Sequence, residues 1–518
     1  MSNDQAVHDP ALFINSTINS IYELVEAIPG SHLAISYLKN AYQNDPFRVA
    51  LELFLVFFAM KYMFSRKYKP NDNNVVLTEK EIDDLVEEWQ PEPLAPKLTS
   101  YDRFNLEKIP VLNGPQSVKA KIAGYSKPLM NLATSNFLNL TASEQIRTKA
   151  IDTLRNYGVG SCGPPGFYGT IDVHMDLERD IAHFLGTDDA IIYAQGFSTI
   201  SSVIPAFAKR GDYLVVDDGV SFAVQKGIQI SRSIVRFYKH NDMEDLERVL
   251  NDIQSEHIKH KKRLTRRFIV TEGLFANFGD IAPLDKLVEL KKKFKYRLIL
   301  DESQSIGVLG NRGAGLTDLY NIDAKEIDMI VGSLANALCG SGGFCAGSVE
   351  IVDHQRLSGS AYCFSASMPA MLAVSASEAF RIIEQQPSIL KELAERSSSF
   401  RQVLSHKSLE PFIYLESPDI NSPSPFFHIR IKESFLQQLP LATVNRETEE
   451  RLLQDVVDEC ALQGVLVTRA KYVYEQELNC PKASIKIHTT TGLTKKENDK
   501  AANIVKVAII KIFSKWRK

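Results

Sequence analysis

The sequence predicts an α/β fold in which a mainly parallel β-sheet is covered by helices, followed by a smaller α+β C-terminal domain and preceded by a membrane helix. Three observations predict it. From about residue 185, short apolar runs rich in β-branched residues alternate with helical stretches. After about residue 385 the alternation gives way to longer helices around isolated strand-like runs. The most apolar stretch of the chain, FRVALELFLVFFAMKYMF, lies at residues 47–64. At 518 residues the chain is too long for one core. Its 60 Lys and Arg nearly balance 63 Asp and Glu, so there is no global field for nucleic acid and none is expected as a partner. The six cysteines (Cys162, Cys339, Cys345, Cys363, Cys460, Cys480) form no CxxC pair and have no histidine at ligand spacing. Reduced thiols facing the cytosol, with no disulfide framework and no metal site, are the expectation.

Residues 1–45 read as an N-terminal amphipathic segment. Ile14, Ile18, Ile21, Val25 and Ile28 share one helical face, and Pro29-Gly30 ends it. Such a helix suits the membrane interface or another helix. Residues 46–64 read as a transmembrane helix. Its apolar core rises about 27 Å, near the thickness of a thin bilayer such as the endoplasmic reticulum. Arg48 and Lys61 sit near the ends and can snorkel, whereas Glu52 needs a partner helix. A buried core helix is the alternative. The cluster of Lys61, Arg66, Lys67 and Lys69 outnumbers Lys39 and Arg48 on the other side, which puts the large C-terminal body in the cytosol. Residues 65–120, with Pro70, Pro91, Pro93 and Pro96, read as a linker and N-terminal arm.

Residues 121–385 carry the expected large domain. Its strand-like runs are AIIYA (190–194), YLVVDD (213–218), IVRFY (234–238), RFIVTE (267–272), YRLILDE (296–302), DMIVGS (328–333) and GFCAGS (343–348). Amphipathic stretches such as Met243 to Ile253 and Leu284 to Phe294 separate several of them. Sheets of this kind bind ligands just past the carboxyl ends of their strands. That rule singles out Gln195-Gly196, Asp217-Asp218, Glu272-Gly273, Asp301-Glu302 and Ser333. Residues 386–518 carry the smaller domain, with helices expected over Ile389 to Leu404, Glu447 to Gln463 and Lys495 to Trp516, and a strand at Phe426 to Ile431.

The phrases YGVGSCGPPGFYGTIDVHMDLE (157–178), EGLFANFGDIAPL (272–284) and DESQSIGVLGNRGAG (301–315) closely resemble the α-oxoamine synthases. These are fold-type I pyridoxal-phosphate enzymes that join an amino acid to an acyl-CoA with loss of carbon dioxide. The resemblance covers roughly residues 120 to 515. With the N-terminal span and EIDDLVEEWQPEPL (81–94), it narrows to the non-catalytic subunits of the heterodimeric members. It implies that the pair condenses L-serine with palmitoyl-CoA to 3-oxosphinganine, the entry step of sphingolipid synthesis. The implied location is the endoplasmic reticulum membrane, with a single pass and a cytosolic body.

Pyridoxal phosphate serves as an electron sink that the protein must hold and tune. Active members hold it through a lysine in a phrase like G-T-F-S-K-A; the matching stretch is Gly332-Ser333-Leu334-Ala335-Asn336-Ala337, so Asn336 occupies the lysine position. An amide forms no imine and has no useful basicity. Ser221 stands where relatives stack a histidine on the pyridine ring, and Gln304 stands where a second histidine is expected. Lys486 replaces the arginine that receives the substrate carboxylate, losing its bidentate fork. Asp301 keeps the place of the aspartate that pairs with the pyridine nitrogen, but without the lysine a turn carboxylate is the favoured reading. Asp301, Ser221, Gln304 and Ser333 are therefore expected as a vestigial cofactor rim with no catalytic residue.

In this family the active sites lie between two chains, so a chain without its lysine still has a role in completing its partner's pocket. Ser161, Cys162, Gly163, Phe167 and Tyr168 are the leading candidates, since glycine lets backbone approach closely and the two rings offer flat contact surfaces. A tight structural turn at the dimer interface is the other reading, and the two are compatible. Ser365, in Phe364-Ser365-Ala366-Ser367-Met368-Pro369, is a second candidate beside the neighbour's cofactor phosphate, against a simple serine turn. Cys162 reads as a packed thiol, not a nucleophile. His428 and His488 read as core or surface histidines. The resemblance implies a catalytic, lysine-bearing homologue that holds the cofactor covalently, a small activating subunit, Orm-type regulators and membrane lipid as partners. A self-sufficient enzyme using another lysine and a membrane scaffold are the competing readings.

Overall fold

The structure is a computed structural model that describes residues 29, 31–65, 77–439 and 444–517. The chain divides into two units, Met1–Lys97 and Leu98–Lys518.

In the first unit, helices run over Ser31–Asn44, Pro46–Phe64 and Glu79–Glu88. Asp45 caps the second of these, accepting from the Arg48 amide at 3.2 Å, and Pro46 follows at the first helical position. The third begins with a capping box between Thr78 and Glu81. The helical part of the expectation at residues 46–64 is thus met, while the spanning part is not shown. Arg48, Glu52 and Lys61 interrupt the apolar surface, and among the described residues no helix is long and apolar enough to cross a membrane. Arg48 and Glu52 answer each other across one turn at 3.0 Å. The amphipathic pattern from Ile14 to Ile28 and the basic cluster Arg66, Lys67 and Lys69 lie outside the described residues.

The second unit is built on a seven-stranded sheet. Its strands are β1 (Asp189–Tyr193), β2 (Tyr213–Asp217), β3 (Ile234–Tyr238), β4 (Arg267–Glu272), β5 (Arg297–Asp301), β6 (Met329–Ser333) and β7 (Gly343–Gly347), one for each run read from the sequence. Their order is β1-β7-β6-β5-β4-β2-β3. All neighbours are parallel except β7, which runs antiparallel to both β1 and β6. Central strands buried on both faces need apolar residues at every position, which is why β2 reads as YLVVD and lies wholly buried. The helices Met243–Lys259 and Leu284–Phe294 contribute Leu246, Leu250, Leu287 and Phe294 to the same core.

A second core gathers under a four-stranded antiparallel sheet: β8 (Ile413–Leu415), β9 (Phe426–Ile431), β11 (Ile485–His488) and β10 (Thr468–Arg469), in that spatial order. Helices Ser388–Leu404, Arg446–Leu462 and Lys495–Trp516 cover it. The arm helix Ser100–Glu107 is fastened to this region. The Tyr101 hydroxyl donates to buried Glu450, Arg469 donates to Asn105 at 2.6 Å, and Lys108 pairs with Asp458 at 2.5 Å.

Candidate functional site

Parallel register decides which side chains meet at the carboxyl edge of the large sheet. Glu272 and Asp301 are Cα partners across β4 and β5, so both terminate their strands on the same face. Past them opens a cavity of about 310 Å³ lined by Ser221, Glu272, Asp301, Gln304, Ser333 and Asn336 among others. The structure thereby brings together every residue expected on the vestigial rim with Glu272, which the carboxyl-edge rule also singles out.

The lysine position is committed elsewhere. Asn336 lies in the turn between β6 and β7, and its Nδ2 donates to the Ser303 carbonyl at 2.7 Å. Ser303 in turn donates its amide to Asp301 at 2.9 Å, which makes Asp301 a turn-holding carboxylate. Gln304 Oε1 is buried with no hydrogen-bond partner among the described residues. Ser221 offers the cavity a hydroxyl in place of a flat ring, and its amide donates to Glu272 at 2.5 Å. No lysine lines the cavity among the described residues. These residues do not fit a covalently held pyridoxal phosphate.

Two buried carboxylates side by side cannot both ionise cheaply. Burial, reinforced by the Asp301 charge, pushes Glu272 up to about 7, and burial also raises Asp301. Backbone amides of Ser221 and Ala276 pull Glu272 the other way without prevailing. An acid raised in the fold lends stability that is full below its unfolded pKa and is lost as pH climbs toward the folded value. Stability should therefore decline from the ordinary carboxylate range up to about pH 7. Asp301→Asn keeps an oxygen for the Ser303 amide while removing the charge that raises Glu272. Thermal melting across pH should show the variant losing less than the native chain on that limb; an identical or steeper decline would refute the coupling.

Lys486, on β11, does not line the cavity. Its ammonium lies 4.3 Å from the Phe426 ring centroid. Burial pushes it down to about 8, against the pull of the Glu272 charge. His428 and His488 are buried core histidines, as expected. His428 hydrogen bonds with Ser484 and the Ala276 carbonyl, and His488 packs between Phe137 and Phe426.

Beside the cavity, His240 sits between Asp217 at 2.8 Å and Asp280 at 3.0 Å, against Phe278. Burial opposes its charge, yet the two carboxylates hold it up at about 10. Both ring nitrogens are already taken up by carboxylates, so His240 with Asp217 and Asp280 forms a partly buried ion cluster.

The glycine-rich phrase forms a separate, outward-facing feature. The turn over Pro165–Gly169 departs from helical geometry at Phe167 and Tyr168, and Tyr168 takes φ 64°. A bulky residue there carries backbone strain. Gly169 is obligatory, because a Cβ would meet the Gly163 carbonyl at 2.1 Å. Gly163 accepts from the Ser367 amide at 3.0 Å, so the phrase and the Ser365 segment, both candidates from the sequence, form one surface. Ser161 donates to the Gly163 carbonyl at 3.3 Å within the turn. Phe167, Tyr168 and Phe364 stand 68%, 102% and 84% exposed, and Ser365 is exposed with them. Cys162 departs from the packed reading: it is exposed, at φ 55°, because the surrounding glycines and prolines turn the backbone outward.

Residues 127–505 match the family described as aminotransferase class I and II. Serine palmitoyltransferase 1 of Dictyostelium discoideum is 41% identical, covering 87% of this chain and 91% of that protein. Serine palmitoyltransferase 1 of Saccharomyces cerevisiae is 37% identical over 93% of this chain and 92% of its own length. The solved structure of a Sphingomonas wittichii serine palmitoyltransferase superposes with a TM-score of 0.67 at 20% identity, covering 80% of this chain and 98% of that one. At that identity the superposition speaks for the fold alone, the fold-type I pyridoxal-phosphate-dependent architecture.

Proposed function

The chain belongs to the class I and II aminotransferase family, among the serine palmitoyltransferase 1 proteins, and from that premise we propose that it is the non-catalytic long chain base subunit 1 of serine palmitoyltransferase. The enzyme condenses L-serine with palmitoyl-CoA to 3-oxosphinganine in the first step of sphingolipid synthesis. One observation carries the division of labour: the amide of Asn336 stands where an amine is required, and it is spent on the Ser303 carbonyl. A lysine-bearing homologue, long chain base subunit 2, supplies the amine and holds pyridoxal phosphate, whose ring accepts the electron pair released at the substrate carbon.

The contribution of this chain is contact. Phe167, Tyr168, Phe364 and Ser365 present a surface left uncovered by the described residues, built to sit against the partner and close its pocket. In the first unit, the apolar face of the Pro46–Phe64 helix engages the endoplasmic reticulum membrane with the body in the cytosol. Pairing of Arg48 with Glu52 neutralises its first turns, and Lys61 reaches the interface. A small activating subunit and Orm-type regulators complete the assembly.

Purification of this chain with the lysine-bearing homologue, incubation with pyridoxal phosphate, borohydride reduction and peptide mass spectrometry test the reading. The pair should be active and each chain alone inactive, with the reduced label on the homologue only. A labelled lysine in this chain, or turnover by this chain alone, would sink it.

A further inference from the structure

At the opposite edge of the large sheet, where β4, β5 and β6 begin, the surface is basic. The segment Ile258–Arg267, IKHKKRLTRR, runs from the last two residues of the helix Met243–Lys259 to the start of β4 and contains Lys259, Lys261, Lys262, Arg263, Arg266 and Arg267 with no acidic residue. Within it, Ile258 is 71% exposed and Leu264 is 96% exposed. Behind it runs an open groove of about 1100 Å³ whose lining includes Leu264, Arg266, Arg267, Lys295 and Arg297. The groove's own carboxylates are engaged: Asp188 by Lys325 at 2.6 Å, Asp328 by Lys291, and Glu350 by the Ser348 hydroxyl at 2.7 Å. Arg263, Arg266, Lys295 and Arg297 have no ion-pair partner among the described residues. The Arg266 guanidinium donates to the Phe207 carbonyl at 2.8 Å, and its backbone amide to Asp212 at 3.0 Å.

A run of cations, of which only Lys262 is ion-paired among the described residues (with Glu256 at 3.1 Å), by itself fits any polyanion. Two aliphatic side chains held out in water within that run fit something narrower, a surface that is anionic outside and apolar a few ångströms below. We propose that this edge is a docking surface for an anionic membrane. Ile258 and Leu264 enter between headgroups while Arg263, Arg266, Lys295 and Arg297 neutralise lipid phosphates. The contact is additional to the Pro46–Phe64 helix and rests on different residues. Each cation at such a surface strengthens attachment about fivefold.

Full-length chain in nanodiscs of phosphatidylcholine, with and without phosphatidylserine, provides the test, read by hydrogen exchange over residues 258–267. Exchange there should slow about fivefold or more with phosphatidylserine and not without it. High salt should erase the effect. Arg263→Glu with Leu264→Asp should do the same while leaving exchange in the core strands unchanged, and Leu264→Asn should weaken it alone. Equal exchange in both lipids overturns the proposal. So does protection by soluble heparin that matches the bilayer's, which would assign the surface to a soluble polyanion. Failure of the chain to enter either nanodisc through its helix, with phosphatidylserine-dependent protection intact, would refute the helix reading and still support this one.

Discussion

Replacing Phe167 and Tyr168 together by alanine lowers the rate of 3-oxosphinganine formation by the two-chain complex at least about tenfold, a loss that one or two well-seated aromatic anchors account for. Tyr168 is 102% exposed and Phe167 68% exposed, so truncating them removes little burial from this chain. Its own melting transition should move little. The loss is expected in the complex, where the two rings, on the proposed reading, would no longer seal the neighbour's pocket. Gly169→Ala provides the contrast. A methyl group there meets the Gly163 carbonyl at 2.1 Å and the Pro164 carbonyl at 2.6 Å, so the turn itself must open. That variant should lose activity together with stability. Unchanged activity in the aromatic variant, with the complex intact by size-exclusion chromatography, would replace a pocket-completing subunit with a scaffold.

The difference between those two variants also marks what a linear sequence reveals. The strands were legible because a parallel strand buried on both faces has almost no compositional freedom; β2 and β5 have no other reading than YLVVD and RLILD. Asn336 was legible because one chemical group, a primary amine, is required at that place. Pairwise geometry was not legible. Nothing local in Glu272 or Asp301 says that their strands are adjacent and in register, so the carboxylate pair and the shift toward neutrality emerge only from the fold. Cys162 was read as packed because no histidine nearer than His174 stands by in sequence to activate it, whereas the thiol is exposed at φ 55°. At residues 46–64 the apolar count anticipated a helix correctly. Three charges within it leave it short of the apolar content of a membrane span.

Arg401 is the sharpest case of a role hidden from the sequence, and its removal should cause the largest loss of stability. On the helix Ser388–Leu404 it looks like one more polar residue of an amphipathic face, yet its relative exposure is 0%. No carboxylate forms an ion pair with it among the described residues. Its two terminal nitrogens bond backbone: Nη1 donates to the carbonyls of Ser417 at 3.1 Å and Asp419 at 3.2 Å, and Nη2 to those of Ser424 and Phe426, each at 3.1 Å, while Nε has no partner among the described residues. The plane lies 5.0 Å from the Phe427 ring centroid. Burial pushes the group down to about 10, which leaves it charged at neutral pH. A fork that spans four carbonyls pins the 417–426 segment to the helix before β9 begins. Arg401→Met preserves the packed stem but strips those carbonyls of a donor at about 1 kcal/mol each, partly offset because no charge is then buried, so a net loss of ~3 kcal/mol is expected. Arg401→Lys keeps the charge without the fork and should fall between the two. Urea unfolding of the purified chain measures the loss, and limited proteolysis locates it, with new cleavage expected first between Ser417 and Ser424. A methionine variant that unfolds with the native midpoint and resists cleavage there would mean that the segment is held by its own turns and that the buried guanidinium is incidental to it.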